Sequence, residues 1–450
     1  MNVKGKKVTV VGLGRTAIAL VRLLVREGAE PFVTEYSDAE SLTPFKDELC
    51  TLGVPFETGG HTDTAFDGAA LIIPSPGVPP RLAPIEAARA RGANVIGEIE
   101  FSSHFCTSKA LAVTGTNGKT TTTELLRALV DACGHSVALA GNNEVPLSAA
   151  VLRDPQPEYI VIEVSSYQLE TARSFRPWIA AVLNVTPDHL ARHGDMDGYA
   201  AVKSRLFANQ RAGDSAVLNA DDERVAAMRV PKEARRLTFS LSGRVDDGLW
   251  LRGNEFCEGD APVALTSDTL LRGRHNYENV CAALTMMRAG GFDWAKTIEG
   301  LRQFRGVEHR IEWVDSQNGV DYFNDSKSTN IDSLRVALES FENPVVLIAG
   351  GRGKGADYRV LRDLVRSRIK ALVTIGEDAP VLEEAFGDLV GVRHATDMGE
   401  AVRLAAETAT QGDAVLLSPA CASFDMYDNF EHRGRVFKDC VRKHLEGCKR

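Results

Sequence analysis

A glycine-rich turn at residues 115–121 is the part of this sequence best suited to chemistry. It follows a short apolar strand and precedes a helical pattern within ALAVTGTNGKTTTT, residues 110–123. Consecutive backbone N–H groups in such a turn, with the positive end of the helix dipole behind them, form a cradle for phosphate oxygens. Lys119 would reach the outer phosphates of a nucleotide, and the Thr120 hydroxyl could bind its Mg²⁺. The motif also fits an ordinary strand–turn–helix junction, because Val113 stands where the full P-loop pattern has its first glycine.

Polar residues also end two other strand-like runs nearby. Glu163 closes the apolar run YIVIE, which is the expected place for a Mg²⁺ ligand beside a phosphate turn. Asp188 and His189 follow the run IAAVLNVT and a proline turn, where a histidine could bind a metal or a substrate carboxylate. Each is also consistent with an exposed strand-end residue. Lys203, in the amphipathic pattern YAAVKSRLF, is by itself typical of a surface lysine.

Further polar groups stand at predicted strand and helix ends in the last 180 residues or so. Asn276 and Asn279 are three residues apart in a predicted helix, so their carboxamides share one face and could contact the base or ribose of a nucleotide. Three polar loops, at residues 324–330, 350–358 and 418–430, each follow a strand-like run. Any one could be a capped turn, but together they predict a site for a small anionic substrate that faces the nucleotide cleft.

These groups need a scaffold of parallel strands. Short β-branched runs alternate with amphipathic helical patterns along the chain, which predicts βαβ units and mainly parallel sheets. Ligands of such sheets bind beyond the carboxyl ends of the strands, where the motifs above stand. A length of 450 residues predicts about three domains of roughly 150 residues each. We place these α/β domains at residues 1–104, 105–306 and 307–450.

Composition excludes several classes of function. An apolar fraction of 44% with 25% charged residues is typical of a soluble globular protein. The net charge of −9 argues against a nucleic-acid binder, and the apolar runs are too short for a membrane span. The eight cysteines form no CxxC pair and no metal-ligand spacing, which indicates reduced thiols and a cytoplasmic location.

The N-terminal turn GLGRTA, residues 12–17, leaves several interpretations open. It follows a strand and precedes a helix, as in a dinucleotide-binding fingerprint whose last glycine is replaced by alanine. Glu35 nearly satisfies the requirement for an acidic residue about 20 positions later, so a NAD-dependent oxidoreductase is one interpretation. The same turn could equally hold the diphosphate of another nucleotide, or simply pack a helix against a sheet.

Taken together and in order, these motifs resemble those of the Mur ligase family. The resemblance covers nearly the whole chain and rests on GLGRT, SPGVP, GTNGKTT, EVSSYQLE, LNVTPDHL, the Lys203 helix, RHNYEN, EHR, NDSKSTN, GGRGKG and SPACASFDMYDNFEHRG. It implies an N-terminal Rossmann-like domain, a central P-loop ATPase-like domain and a C-terminal Rossmann-like domain. The NDSKSTN loop resembles that of the members that add D-glutamate to UDP-N-acetylmuramoyl-L-alanine. The implied reaction uses ATP and an acyl phosphate, in peptidoglycan precursor synthesis, and we expect a monomer.

The resemblance also implies roles for individual residues, with Lys119, His189 and Lys203 as the catalytic set. ATP would be held by Gly115, Thr116, Asn117, Gly118, Lys119, Thr120, Thr121, Asn276, Asn279, Arg310 and Asp325. Two Mg²⁺ sites would be formed by Thr120 and Glu163, and by His189 and a carbamylated Lys203. The UDP substrate would contact Gly14, Arg15, Thr16, Asn142, Asn143 and Ser165. D-Glutamate would contact His189, Lys327, Thr329, Lys354, Ser423, Phe424 and Phe430.

Some positions depart from the family pattern, and other functions stay open. Ala191 and Arg352 stand where relatives often have aspartate, and the ending Glu35-Tyr36-Ser37 leaves the uracil contacts undefined. A folylpolyglutamate synthase performs the same chemistry but lacks an N-terminal domain of this kind. An oxidoreductase would leave GTNGKTT and NDSKSTN unexplained. A non-catalytic nucleotide-binding regulator would not need Glu163, His189 and Lys203 together.

Overall fold

The structure of the chain is a computed structural model that describes residues 1–79, 81–142 and 145–447. Three β-sheets follow one another along the chain. The first two lie in a compact unit made of Met1–Thr266 and Glu278–Leu301, and the third lies in a unit made of Ser267–Tyr277 and the chain from Arg302 onwards. Successive, mainly parallel α/β sheets confirm the predicted fold class, while the boundaries at residues 104 and 306 stay a prediction.

The first sheet is fully parallel. Its strands are β1 (Lys7–Val11), β2 (Glu30–Thr34), β3 (Phe56–Glu57), β4 (Leu71–Pro74) and β5 (Asn94–Val95), in the order β3-β2-β1-β4-β5. Its helices are α1 (Arg15–Arg26), α2 (Thr43–Thr51), α3 (Asp63–Phe66), α4 (Ala83–Ala90) and α5 (Glu98–Ser103). Helix α1 buries Ala17, Leu20, Val21 and Leu24 against the sheet, because these residues recur at helical spacing.

The second sheet combines a parallel part with an antiparallel extension. Its strands are β6 (Lys109–Thr114), β7 (Val137–Gly141), β8 (Tyr159–Glu163), β9 (Ile179–Val182), β10 (Ser215–Asn219), β11 (Arg235–Ser240), β12 (Gly248–Arg252), β13 (Glu255–Glu258) and β14 (Ala261–Leu265). The order is β14-β13-β12-β11-β10-β9-β6-β8-β7, and only the β12-β13 and β13-β14 pairs are antiparallel. Its helices are α6 (Lys119–Ala132), α7 (Leu147–Val151), α8 (Ser166–Leu169), α9 (Leu190–His193), α10 (Met196–Ser204), α11 (Glu223–Ala226), α12 (Arg274–Ala289) and α13 (Trp294–Gln303).

The third sheet has one antiparallel edge strand. Its strands are β15 (Glu312–Gln317), β16 (Val320–Asn324), β17 (Val345–Gly350), β18 (Ile369–Ile375), β19 (Gly391–His394) and β20 (Ala414–Leu417), in the order β15-β16-β20-β17-β18-β19. Its helices are α14 (Ile331–Glu339), α15 (Arg362–Arg368), α16 (Ala379–Phe386), α17 (Met398–Thr408) and α18 (Phe430–Gly447). Four short 3₁₀ helices lie at Glu40–Leu42, Arg205–Phe207, Thr266–Asp268 and Tyr358–Leu361. None of the described helices is long and apolar enough to cross a membrane.

Sheet order determines which loops meet. In the second sheet β9, β6, β8 and β7 are consecutive neighbours, so the residues after their carboxyl ends lie at one edge. In the third sheet β16, β20 and β17 are neighbours in the same way. The polar motifs that follow these strands therefore lie at one edge of each of the two sheets.

Candidate functional site

The glycine-rich turn between β6 and α6 has the geometry of an anion cradle. Gly118 caps α6 with a φ of 82°, and a Cβ there would lie 2.1 Å from Asn279 Oδ1. The N–H groups of Thr116 and Asn117 donate to Asn184 Oδ1 at 3.1 and 2.8 Å, so these two amides hold the turn in shape. The first N–H groups of a helix have no acceptor within it. An anion would therefore be bound by the first turn of α6.

Gly118→Ala should weaken ATP binding and lower thermal stability. The added methyl would collide with Asn279 Oδ1, and an alanine in the left-handed region costs about 1–2 kcal/mol. Gly134→Ala is the matched control, because Gly134 follows the same helix with a φ of 88° and has nothing within 4 Å of its Cβ position. We expect a lower melting temperature in both variants, but a rise of about ten-fold in KM for ATP only in Gly118→Ala. Equal KM values in the two variants would contradict this account.

Two lysines share one acceptor behind this turn. Lys119 Nζ donates to Gly115 O at 3.0 Å and to Thr116 O at 2.8 Å, and Lys203 Nζ donates to the same Gly115 O at 2.7 Å. Lys203 is only 1% exposed, and its Nζ lies 4.5 Å from the ring centre of Tyr199. Burial, together with the neighbouring Lys119 ammonium, lowers the pKa of Lys203 to about 7. A substantial fraction of this amine is therefore neutral and nucleophilic at neutral pH.

Glu163 offers a buried carboxylate oxygen at the same edge of the sheet. The residue is 3% exposed, and its Oε1 accepts a hydrogen bond from Asn142 Nδ2 at 2.9 Å. Its Oε2 is buried without a hydrogen-bond partner in the described part of the chain. A buried polar atom without a partner is costly, and a carboxylate oxygen is the ligand that Mg²⁺ prefers. The residues present therefore fit a divalent cation beside the cradle.

His189 lies at the mouth of this region in a constrained conformation. Its φ is 52°, its side chain is 45% exposed, and Asp188 Oδ2 lies 3.4 Å from its Nε2. The hydroxyl of Tyr167 lies 3.3 Å from His189 Nδ1, and the Tyr167 ring packs against the guanidinium of Arg192 at 3.9 Å. Ala191, which departs from the family pattern, lies two residues after this histidine, in α9.

A cavity of about 310 Å³ lies between the phosphate turn, the two lysines and His189. Its lining includes six residues that the sequence analysis assigned to the site, namely Gly115, Lys119, Asn142, Ser165, His189 and Lys203. Ser165 also caps α8, in a reciprocal pair of hydrogen bonds with Gln168. Pro76 and Gly77 of the first sheet's SPGVP loop complete the wall. A larger cavity, of about 390 Å³, lies around Lys109 and Trp178, where β6 and β9 begin, and lacks these groups.

Glu35, the acidic residue that would bind the ribose in an oxidoreductase, instead holds the N-terminal turn. Glu35 accepts hydrogen bonds from Leu13 N–H at 2.7 Å and from Ser37 N–H at 2.8 Å, so both of its oxygens hold backbone. Gly12 has a φ of 100°, and a Cβ there would lie 2.8 Å from Ser75 Oγ. Of the residues predicted to contact the UDP substrate here, Arg15 is exposed and Gly14 and Thr16 are half-buried. Asn143, predicted for the same substrate, lies outside the described residues.

The residues predicted for adenosine are mostly buried within their own units. Asn279 accepts from Thr122 Oγ1 at 3.3 Å, and Asn276 donates to Arg272 O at 2.7 Å. Asp325 accepts from Ser418 Oγ at 2.8 Å and from Ile311 N–H at 3.2 Å, and burial raises its pKa to about 7. Arg310, by contrast, is exposed.

The predicted amino-acid site lies on three neighbouring loops of the third sheet. Lys327, after β16, is exposed, and its Nζ lies 5.3 Å from the ring centre of Phe430. Lys354, after β17, is also exposed, whereas Ser423, after β20, is 2% exposed. The remaining predicted residues differ in exposure, with Thr329 half-buried and Phe424 64% exposed. Arg352, the departure from the family pattern, pairs with Glu377 at 2.9 Å.

Sequence reasoning missed several residues that shape these sites. Asn184 had a usable pattern, since it directly follows β9 and is the polar group that holds the phosphate turn. Tyr199 and Arg433 had none, because an aromatic residue and an arginine within amphipathic helices are ordinary. The interpretation of Lys203 as a surface residue, which its own sequence pattern favours, is wrong, because the side chain is almost fully buried.

Comparison with known families and proteins gives three matches in chain order. Residues 6–97 match the N-terminal domain of MurD-like Mur ligases, residues 113–287 the Mur ligase middle domain and residues 309–421 the Mur ligase glutamate ligase domain. The UDP-N-acetylmuramoylalanine–D-glutamate ligases of Koribacter versatilis and Pelotomaculum thermopropionicum are each 43% identical, over 99% and 97% respectively of both chains. Among solved structures, a UDP-N-acetylmuramoyl-L-alanyl-D-glutamate–2,6-diaminopimelate ligase is 18% identical with a TM-score of 0.60, and the match covers 84% of this chain and 93% of that one. That likeness shows the fold.

Proposed function

The chain belongs to the Mur ligase family, and we propose that it joins D-glutamate to UDP-N-acetylmuramoyl-L-alanine in an ATP-dependent reaction of peptidoglycan precursor synthesis. The observation that carries this is the cavity in which Lys119, Ser165, His189 and Lys203 meet beside the phosphate turn. Full-length relatives at 43% identity carry this activity in their names. The N-terminal match at residues 6–97 supports this function over a folate ligase, and the engaged Glu35 argues against a NAD enzyme.

The reaction takes place in two steps. The terminal L-alanine carboxylate attacks the γ-phosphorus of ATP, so that an acyl phosphate forms and ADP leaves. The amine of D-glutamate, after loss of a proton, then attacks the acyl carbon, so that an amide bond forms and phosphate leaves. Lys119 and the first turn of α6 bind the nucleotide phosphates and neutralise charge in the first step. No protein nucleophile is required.

We propose two cation sites on the same residues. Thr120 and Glu163 would hold the Mg²⁺ that accompanies ATP, because Glu163 Oε2 is buried and lacks a partner among described residues. His189 and Lys203 would hold a second. Bound Mg²⁺ would neutralise charge on the phosphoryl group in transfer.

Lys203 fits this second site as a carbamate. Its neutral Nζ would attack the carbon of CO₂, an N–C bond would form, and one proton would be released. The product carries a negative charge and oxygen ligands where the unmodified side chain would place a second ammonium beside Lys119. The low pKa of Lys203 favours this reaction because only the neutral amine is nucleophilic.

Substrate recognition is divided between the two compact units. In the first unit, Gly14, Arg15, Thr16, Asn142, Asn143 and Ser165 would bind the UDP substrate. In the second, Lys327, Thr329, Lys354, Ser423, Phe424 and Phe430 would bind D-glutamate, with Lys354 and the hydroxyls facing its carboxylates. In the same unit, Asn276, Arg310 and Asp325 would hold adenosine. We further propose that the enzyme is a monomer. We place it in the cytoplasm, because ATP is available there and the seven described cysteines are unpaired.

Phosphate release tests the proposed function directly. The chain would be incubated with ATP, Mg²⁺ and UDP-N-acetylmuramoyl-L-alanine, and D-glutamate, L-glutamate, L-lysine or meso-diaminopimelate would be added in turn. We expect release that requires both the UDP substrate and D-glutamate. Release with another amino acid would show that the enzyme adds that amino acid instead. No release with any pair would refute ligase activity.

A further inference from the structure

Arg433, near the start of α18, is a long cationic side chain in an unusual place. It is only 2% exposed and is among the largest fully buried side chains of the chain. Burial of a charged group is costly unless its hydrogen bonds are made within the protein. Its position therefore needs an explanation, and neither the predicted substrate contacts nor the proposed chemistry supplies one.

The hydrogen bonds of Arg433 all go to neutral acceptors on two loops. Its Nε donates to Ser326 Oγ at 3.0 Å, and its Nη2 donates to Ser326 O at 2.9 Å and to Cys421 O at 3.0 Å. Its Nη1 donates to Ala422 O at 3.2 Å. Burial lowers the pKa of Arg433 to about 10, so the guanidinium keeps its charge at neutral pH. The planar guanidinium, with its fork of N–H donors, thus hydrogen-bonds to the loop after β16 and to the loop after β20.

A third loop closes on the same group. A Cβ at Gly351, which follows β17, would lie 3.1 Å from Arg433 Nη1 and 2.3 Å from Ala422 O. The three loops held or approached by the guanidinium are those that carry Lys327, Lys354 and Ser423. Arg433 therefore lies beneath the predicted amino-acid site, with no carboxylate among its hydrogen-bond partners in the described chain.

We propose that Arg433 is the positioning residue of the amino-acid site: it fixes the three loops in register and adds a positive charge beside them that favours a dicarboxylic amino acid. The carboxylates of Asp425 and Asp325 attract this charge without hydrogen-bonding to it. This inference rests on the proposed function. Lysine could keep the charge but not the fork, because an ammonium cannot make the same planar set of four bonds. Geometry and charge can therefore be separated by substitution.

Three variants test this role. Arg433→Met removes both charge and fork, Arg433→Lys removes the fork alone, and Arg435→Met is the matched control, because Arg435 is exposed on the same helix. We expect KM for D-glutamate to rise about 100-fold in Arg433→Met and about ten-fold in Arg433→Lys. The KM for UDP-N-acetylmuramoyl-L-alanine should stay within about two-fold. Arg435→Met should match the wild type throughout.

Formation of the acyl phosphate in the first half-reaction separates a local effect on the amino-acid site from general unfolding, because unfolded protein would not form it. Acyl phosphate formed without D-glutamate can be trapped with hydroxylamine, and we expect the Arg433 variants to form it at the wild-type level when ATP is saturating. If Arg433→Met does not fold, Arg433→Lys and Ser326→Ala still test the fork, since Ser326→Ala removes the hydroxyl that accepts from Arg433 Nε. If the wild type turns over with D-glutamate and Arg433→Lys has an unchanged KM for it, this inference is overturned while the proposed function stands. No wild-type turnover with D-glutamate would overturn the proposed function and this inference with it.

Discussion

Lys203→Ala should reduce ligase turnover by about two to three orders of magnitude, and acetate or propionate should restore part of it. The substitution removes the amine that would carry the carbamate and leaves space where the buried side chain was. A small carboxylic acid can enter that space and supply oxygen ligands in place of the carbamate. Turnover would be measured by phosphate release across a range of acid concentrations.

Lys203→Met is the matched control for this rescue. Methionine fills most of the same volume but offers neither an amine nor room for an added acid, so its activity should be equally low and should not respond to acetate. Thermal unfolding would show whether both variants are folded. Rescue of both variants, or of neither while both are folded, would contradict the carbamate role.

The carbamate itself has a signature independent of activity. With ¹³C-labelled bicarbonate, wild-type protein should show a carbamate carbon resonance that Lys203→Met lacks. Because the pKa of Lys203 is lowered to about 7, the neutral amine dominates above that pH and is depleted below it. The resonance should therefore weaken as the pH falls through this value, whereas an amine of ordinary pKa would be almost wholly protonated at neutral pH and would react little.

Glu163→Gln should have the second large effect, a loss of about two to three orders of magnitude in turnover at fixed Mg²⁺. The substitution keeps the size of the side chain but replaces the buried Oε2, which lacks a partner among the described residues, with an amide nitrogen that cannot ligate a cation. Part of the activity should return as Mg²⁺ is raised. The measurement is phosphate release as a function of Mg²⁺ concentration.

Glu158→Gln controls for this change. Glu158 immediately precedes the same strand at its opposite end, and its side chain is 59% exposed. Its Mg²⁺ dependence should equal that of the wild type. Thermal stability of Glu163→Gln should not fall, because the variant loses a buried carboxylate oxygen that had no hydrogen bond to lose. A strong fall in stability with an unchanged Mg²⁺ dependence would assign Glu163 a structural role instead.

The strands that lie in the interior of the parallel sheets could be predicted from the sequence. The apolar runs within β6, β8 and β17 are buried on both faces, so their interior positions favour apolar residues. The strands β11 to β14 were not predicted. In β12 and β14 most positions are half-buried or exposed, and their mixed composition does not separate them from loops.

From the sequence alone we could predict the alternation of interior strands and helices, the glycines of the phosphate turn and the polar residues at strand ends. These features depend on neighbours a few positions away, and the residue types needed at such turns are few. The tertiary structure buries Lys203 against Gly115, 88 residues away in the chain, and thereby lowers the pKa of its amine to about 7. It likewise decided that Arg433 meets Ser326 from 107 residues away. The physical reason is desolvation: the pKa and bonding of a charged group depend on what surrounds it in space, and sequence neighbours do not specify those surroundings.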